Sequence, residues 1–134
     1  MKYSVLMSVY KNDSPQFLAL ALESIYDKQT RKPDEIVVVF DGPLTDELNN
    51  VLNDFYVGKE DVVFYYPQEI NRGLGEALRI GSEKCTGDYI LRMDSDDISD
   101  PERFEKQIKY VEEHPEIDAL GTDIAEFQES ENEE

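Results

Sequence analysis

The chain has 134 residues, which is one domain's worth and enough for a single well-formed core. Its 13 Lys and Arg against 31 Asp and Glu give a formal charge of −18, a field that repels nucleic acid and anionic membrane surfaces and argues against both as partners. No apolar run approaches the roughly 18 residues that span a bilayer and no signal-peptide core opens the chain, so a cytoplasmic protein without a transmembrane segment is expected.

β-branched and aromatic runs alternate with helical periodicity along most of the chain, separated by Gly, Pro, Asn and Asp. Tyr3 to Tyr10 reads as the first strand. Ser14-Pro15 then supplies an N-cap and a first helical residue, and Phe17, Leu18, Ala21, Leu22 and Ile25 form one helical face. The continuous apolar run Ile36 to Phe40 suits a strand covered on both faces. Thr45 opens a helix with Leu48, Val51, Leu52 and Phe55 inward, ending before Gly58. Val62 to Tyr66 is the third strand. A helix over Leu74 to Lys84 turns Leu74, Ala77, Leu78, Gly81 and Cys85 to one side, and Gly87 leads into a fourth strand, Tyr89 to Met93. Asp100 as N-cap and Pro101 as first residue start a helix to Glu113 with Phe104, Ile108 and Val111 inward, and Glu102–Lys106 and Glu105–Lys109 are spaced to pair on its outer face. Ala119 to Ala125 is a candidate further strand. Glu126, Glu129, Glu131, Glu133 and Glu134 make the end of the chain acidic; residues 1–126 are expected to form the domain and 127–134 a disordered tail.

Alternating strand-helix units imply an α/β fold of Rossmann-like type, a mostly parallel sheet with helices on both faces and a binding crevice at the carboxyl ends of the strands. Polar residues at strand exits therefore carry the most information. The fourth strand ends in Asp94-Ser95-Asp96-Asp97, three carboxylates that repel one another and stay ionised together most easily around a hard cation such as Mg²⁺, Mn²⁺ or Ca²⁺. A capped loop is the plain alternative, yet Asp100-Pro101 already supplies the cap. Ser8, Tyr10, Lys11 and Asn12 leave the first strand, and Asp41-Gly42 the second, where Asp41 either accepts N–H groups of a base or ribose or simply makes a turn. Asn71-Arg72-Gly73-Leu74-Gly75 opens a helix whose backbone N–H groups and guanidinium could face an anion.

Several patterns carry less. Gly73-Leu74-Gly75 lacks the third glycine of a dinucleotide fingerprint, with Leu78 in its place, and six residues separate it from the preceding strand. Asp94 to Glu105 imitates a calcium loop, but Ser99 stands at the required glycine, Ile98 at an oxygen ligand and Pro101 inside the loop. Lone Cys85 reads as an inert packed thiol and lone His114, before Pro115, as a helix-end surface residue; neither a zinc site nor a Cys-His pair can be built from them.

Taken in order, Ser8-Val9-Tyr10-Lys11-Asn12, Val37-Val38-Val39-Phe40-Asp41-Gly42, Asn71-Arg72-Gly73 with Ala77 and Gly81, and Gly87-Asp88-Tyr89-Ile90 leading to Asp94-Ser95-Asp96-Asp97 resemble the nucleotide-binding half of the family-two glycosyltransferases, over roughly residues 2 to 126. The resemblance implies the GT-A fold and a nucleotide-diphosphate-sugar donor, a UDP-sugar foremost. It places Ser8 and Tyr10 in the base pocket with Tyr10 against the base, Asp41 as acceptor from the base, and Arg72 near base or phosphates. Asp94 would face the ribose, Asp96 would bind Mn²⁺ or Mg²⁺ bridging the phosphates, and Asp97 would support it. It further implies inverting transfer of a hexose-like sugar to a saccharide or lipid-linked acceptor, as in polysaccharide biosynthesis, with the complete protein at most peripheral to a membrane. Phe40 replaces an acid common among relatives, and Pro43-Leu44 a small polar residue, which leaves the base open. Family members continue past the acidic motif into a segment that supplies the general base, and neither Asp123 nor Glu126 matches it, so the chain is expected to be the donor-binding part of a longer enzyme. The alternatives are a non-catalytic nucleotide-binding or assembly domain and a dinucleotide-binding oxidoreductase domain.

Overall fold

A computed structural model of the chain describes residues 2–114. Its elements run β1 (Tyr3–Val9), α1 (Pro15–Ile25), β2 (Glu35–Phe40), α2 (Asp46–Tyr56), β3 (Val63–Pro67), α3 (Leu74–Lys84), β4 (Tyr89–Arg92) and α4 (Arg103–Glu113). Ser14 caps α1 through its hydroxyl, which accepts from Phe17 N at 3.3 Å, with Pro15 in the first turn as expected. Thr45 caps α2 in the same way, from Leu48 N at 3.2 Å, and Asp46 and Glu47 sit where the helix dipole favours negative charge.

The four strands form one parallel sheet in the order β3-β2-β1-β4. Successive connections from β1 step outward to β2 and β3, and the third crosses back over β1 to β4. Right-handed crossovers then require α1 and α2 on one face and α3 on the other. The packing agrees. Tyr3, Val5, Met7 and Val9 share a core with Ile36, Val38, Leu91, Leu18, Leu22, Leu48, Leu52, Phe104 and Ile108, so α1, α2 and α4 cover one face. Beneath α3 lie Leu6, Val37 and Val39, all buried, and α3 approaches so closely that a Cβ on Gly81 would stand 2.3 Å from Leu6 Cδ1 and 2.9 Å from Val39 Cγ2. β2 is buried through its middle on both sides, as its unbroken apolar run requires.

Three sequence expectations change. Phe17 and Leu74 are each 56% exposed although helical spacing puts them on apolar faces, and Val51 and Leu78 are only half-buried. The α4 helix begins at Arg103, because Asp100 Oδ1 accepts from Glu102 N at 2.9 Å and Arg103 N donates to Asp100 O; Asp100-Pro101 makes a turn ahead of the helix and does not cap it directly. Neither Glu102–Lys106 nor Glu105–Lys109 forms an ion pair among the described residues. Cys85 is half-buried at the C-cap of α3, where burial above all, with Glu35 nearby, pushes its thiol up to about 12 and leaves it inert at neutral pH. His114 closes α4, its ring stacked on Tyr110 at 4.1 Å. The expected strand over Ala119 to Ala125 and the acidic stretch 127–134 lie outside the described residues. No helix among the described residues is long and apolar enough to cross a membrane.

Candidate functional site: an acidic turn at the sheet's switch point

The sheet changes direction between β1 and β4, and in open α/β sheets this is where the connecting loops part and leave a crevice at the strands' carboxyl ends. A cleft of about 390 Å³ opens there, within the range of small-ligand sites. Its lining includes Ser8 and Tyr10 from the end of β1, Asp41 after β2, Asn71 and Gly73 before α3, and Asp94 and Asp96 after β4. Of the residues singled out from sequence, Ser8, Tyr10, Asp41, Asp94 and Asp96 meet at this cleft. Arg72 and Asp97 stand beside it without lining it.

The acidic segment is a turn, closed by Asp97 N donating to Asp94 O at 3.2 Å. Curling the chain in this way brings one carboxylate oxygen from each of Asp94, Asp96 and Asp97 within 4.8 Å of one another, with Asp94 half-buried and the other two exposed. Burial first, and the charges of Asp94 and Asp96 next, push the Asp97 carboxyl above its usual range, while Arg103 opposes the shift. Convergent carboxylates suit a divalent cation: three oxygen donors on one side of a small hard ion leave its other positions open to ligand oxygens.

Both ends of the turn are anchored. Upstream, Met93 N donates to Leu6 O and extends the β1–β4 pairing. Downstream, the amide of buried Gln29 donates to Ser24 O and Asp100 O and its oxygen accepts from Phe104 N, while Ser99 N donates to Ser24 Oγ, so the segment after the turn is bolted to the end of α1. Arg103, only 5% exposed, donates to Ser99 Oγ at 2.9 Å and to Arg92 O at 3.3 Å from beneath.

Asp41 is 6% exposed, and its two carboxylate oxygens accept the backbone N–H groups of Arg72 at 2.8 Å and Gly73 at 3.1 Å. It therefore fills the anion position at the start of α3, whose own N-cap, Gly73, has no side chain to do so. Two of the N–H groups that made this loop a candidate anion cradle are already engaged by a carboxylate, whose charge disfavours a second anion beside it. Gly42 permits the arrangement: its φ is +89°, and a Cβ would lie 2.8 Å from Asn71 N. Asp41 nonetheless lines the cleft, and each of its oxygens keeps capacity for a further donor.

Asn71, Gly73 and Leu74 of the candidate anion loop and Ser95 of the acidic motif also line the cleft, as do Asp13, Leu78 and Met93, which the sequence did not single out as site residues. Leu74 is exposed there although its helical spacing argued for the core.

Comparison with known proteins agrees with this architecture. An uncharacterized glycosyltransferase of Haemophilus influenzae is 49% identical over 127 residues, covering 95% of this chain and 46% of that protein. The UDP-Gal:alpha-D-GlcNAc-diphosphoundecaprenol beta-1,3-galactosyltransferase of Escherichia coli is 40% identical over 129 residues, covering 95% and 45%. The chain thus spans about half the length of these curated relatives. Among solved structures, S. aureus TarS 1-349 in complex with UDP-GlcNAc superposes with a TM-score of 0.73 at 27% identity, over 85% of this chain and 32% of that one. The fold is GT-A. Residues 4–133 match the model of glycosyl transferase family 2, and the chain belongs to that family.

Proposed function

We propose that the switch-point cleft binds a nucleoside diphosphate sugar through a divalent cation, as the donor half of a glycosyltransferase. The observation that carries this reading is the convergence of Asp94, Asp96 and Asp97 in one turn at the crevice that Ser8 and Tyr10 also line. Asp96 is the principal metal ligand, with Asp94 and Asp97 supporting it and Asp94 also within reach of the ribose. Tyr10, 40% exposed at the end of β1, offers its ring to the base, Ser8 bounds the base pocket, Asp41 accepts from the base, and Arg72 meets base or phosphate from the rim. The diphosphate then lies over the acidic turn. A bound Mn²⁺ or Mg²⁺ would neutralise charge on the departing diphosphate and improve it as a leaving group.

The relatives named for UDP-linked sugars favour a UDP-sugar as donor. The acceptor is proposed to be a saccharide, free or lipid-linked, and transfer to proceed with inversion in the complete protein, whose general base belongs to sequence beyond the donor-binding half. A lipid-linked acceptor would bring the complete enzyme to the cytoplasmic surface of a membrane in a polysaccharide pathway.

Isothermal calorimetry with UDP, GDP and NAD, each with and without Mn²⁺, tests the proposal. UDP should bind in a Mn²⁺-dependent manner, and Asp96→Ala should abolish that dependence. NAD binding without metal would sink the reading.

A further inference from the structure

We infer that Asp13 is a positioning residue that holds the nucleotide side and the acidic side of the cleft in one register; the inference rests on the proposed donor-binding reading. Asp13 lies in the turn that leaves β1, where its own N donates to Tyr10 O at 3.0 Å. Its Oδ2 accepts from Tyr10 N at 2.9 Å and from Ser95 Oγ at 3.0 Å. A single oxygen thus joins the backbone of Tyr10 to Ser95 in the middle of the acidic turn, 82 residues from Asp13 along the chain.

The charge of Asp13 makes the arrangement informative. In a chain of net charge −18, a carboxylate near Asp94, Asp96 and Asp97 raises the local repulsion. Asp13 is not one of the three acids whose oxygens converge, so its role is not ligation. What it supplies is a strong acceptor for two donors, and charge-assisted hydrogen bonds are the stronger kind. Holding the hydroxyl of Ser95 fixes the peptide units on either side of it, and those units set the directions in which Asp94 and Asp96 project. Tyr10, the proposed base platform, is tied to the same oxygen. A ligand that spans base pocket and acidic turn therefore meets two preset halves and loses less freedom on binding than it would between independent loops. Hydrogen bonds over 3 residues in one direction and 82 in the other also explain why sequence spacing gave no hint of the link.

The test is a double-mutant cycle on Ser95→Ala and Asp13→Ala, with Asp13→Asn as the conservative variant, read by calorimetric UDP affinity with and without Mn²⁺ and by thermal melting. Ser95→Ala should weaken UDP binding in Mn²⁺ by about five- to tenfold, the scale of one hydrogen bond to a charged acceptor that is partly open to solvent. Binding of UDP without metal should change less, because the acidic turn then contributes little. Asp13→Ala should lose at least as much, the two together should lose no more than Asp13→Ala alone, and Asp13→Asn, which keeps an accepting oxygen, should recover most of the affinity. A merely structural role would lower the melting temperature and leave the Mn²⁺-dependent gain in UDP affinity unchanged. Wild-type-like Mn²⁺-dependent binding in both single variants, or independent additive losses, overturns the inference while leaving donor binding intact. A wild-type chain that takes up no UDP in Mn²⁺ overturns the donor reading and the inference together.

Discussion

Replacing Asp41 by Ala should unfasten the loop that forms one wall of the cleft. The substitution removes two carboxylate acceptors, at 2.8 Å from Arg72 N and 3.1 Å from Gly73 N. A hydrogen bond to a charged group is worth about 1.5–3 kcal/mol, and a donor left without a partner adds its desolvation cost. Gly73 N keeps a second acceptor in Asn71 Oδ1 at 3.1 Å, and the exposed side of the loop admits water, so the two bonds do not count in full. Roughly one full charged bond then remains as the loss, about 2–3 kcal/mol. For a domain of this size each kcal/mol lowers the melting temperature by about 3–4 °C, which gives an expected fall of about 6–12 °C. Asp41→Asn keeps one accepting oxygen and presents an N–H₂ to the other donor, so it should lose about half as much. Circular dichroism melts measure the stability. Hydrogen exchange at the Arg72 and Gly73 amides measures the bonds themselves, and protection should drop at Arg72 more than at Gly73, which keeps its second partner. Unchanged protection at Arg72 together with a melting temperature within about 2 °C of wild type would show that the carboxylate does not hold this loop.

The other expectations concern the cleft directly. Tyr10→Ala should weaken UDP binding by roughly tenfold or more, since stacking of a base on an aromatic ring is worth about 1–3 kcal/mol, while Tyr10→Phe retains it; calorimetry with melting controls checks this, and the exposed ring should contribute little to the melt. Asp97→Asn should separate stability from binding: in metal-free buffer the melting temperature should hold or rise, because like charge is removed, while Mn²⁺ affinity falls. The raised Asp97 value fixes a pH signature as well. The folded state binds this proton more tightly than the unfolded chain, so metal-free wild type should gain stability as pH falls through the raised folded value toward the ordinary carboxylate range. Asp97→Asn should lack that gain, and a melting temperature that follows pH identically in both proteins would count against mutual repulsion in the turn. Gly42→Ala should cost about 1–2 kcal/mol for its positive φ alone, with a further loss as Asn71 is pushed aside, read as a lower melting temperature and weaker UDP binding together.

What could be seen in the sequence was whatever a short stretch of chain determines. Alternation of apolar runs with helical spacing placed all eight described elements within about two residues, and the strand exits carrying Tyr10, Asp41 and Asp94 do share one edge of the sheet. Periodicity could not say that Phe17 and Leu74 face outward, because an apolar residue at the mouth of a cleft keeps the same spacing as one in the core. Nor could it show the side-chain ties that shape the site. Asp41 reaches Arg72 across 31 residues and Gln29 reaches Asp100 across 71, and such partners become neighbours only once the sheet has formed. The start of α4 shifted for a local reason: the carboxylate of Asp100 preferred the N–H two residues on, which closed a turn before the helix could begin.

The strand order also governs when the site can exist during folding. β1, β2 and β3 pair with near neighbours in sequence, whereas β4 must find β1 with Tyr3 opposite Tyr89, closing a loop of most of the described chain. Closures of that span are slow and are favoured only after local pairings have formed. The acidic turn is therefore expected to take its place late, on a sheet whose other three strands are already joined. A folding chain stopped before that step would have its hydrophobic sheet and its Asp41-fastened loop without the acidic turn, so recovery of the proposed Mn²⁺ binding after dilution from denaturant should lag behind recovery of secondary structure.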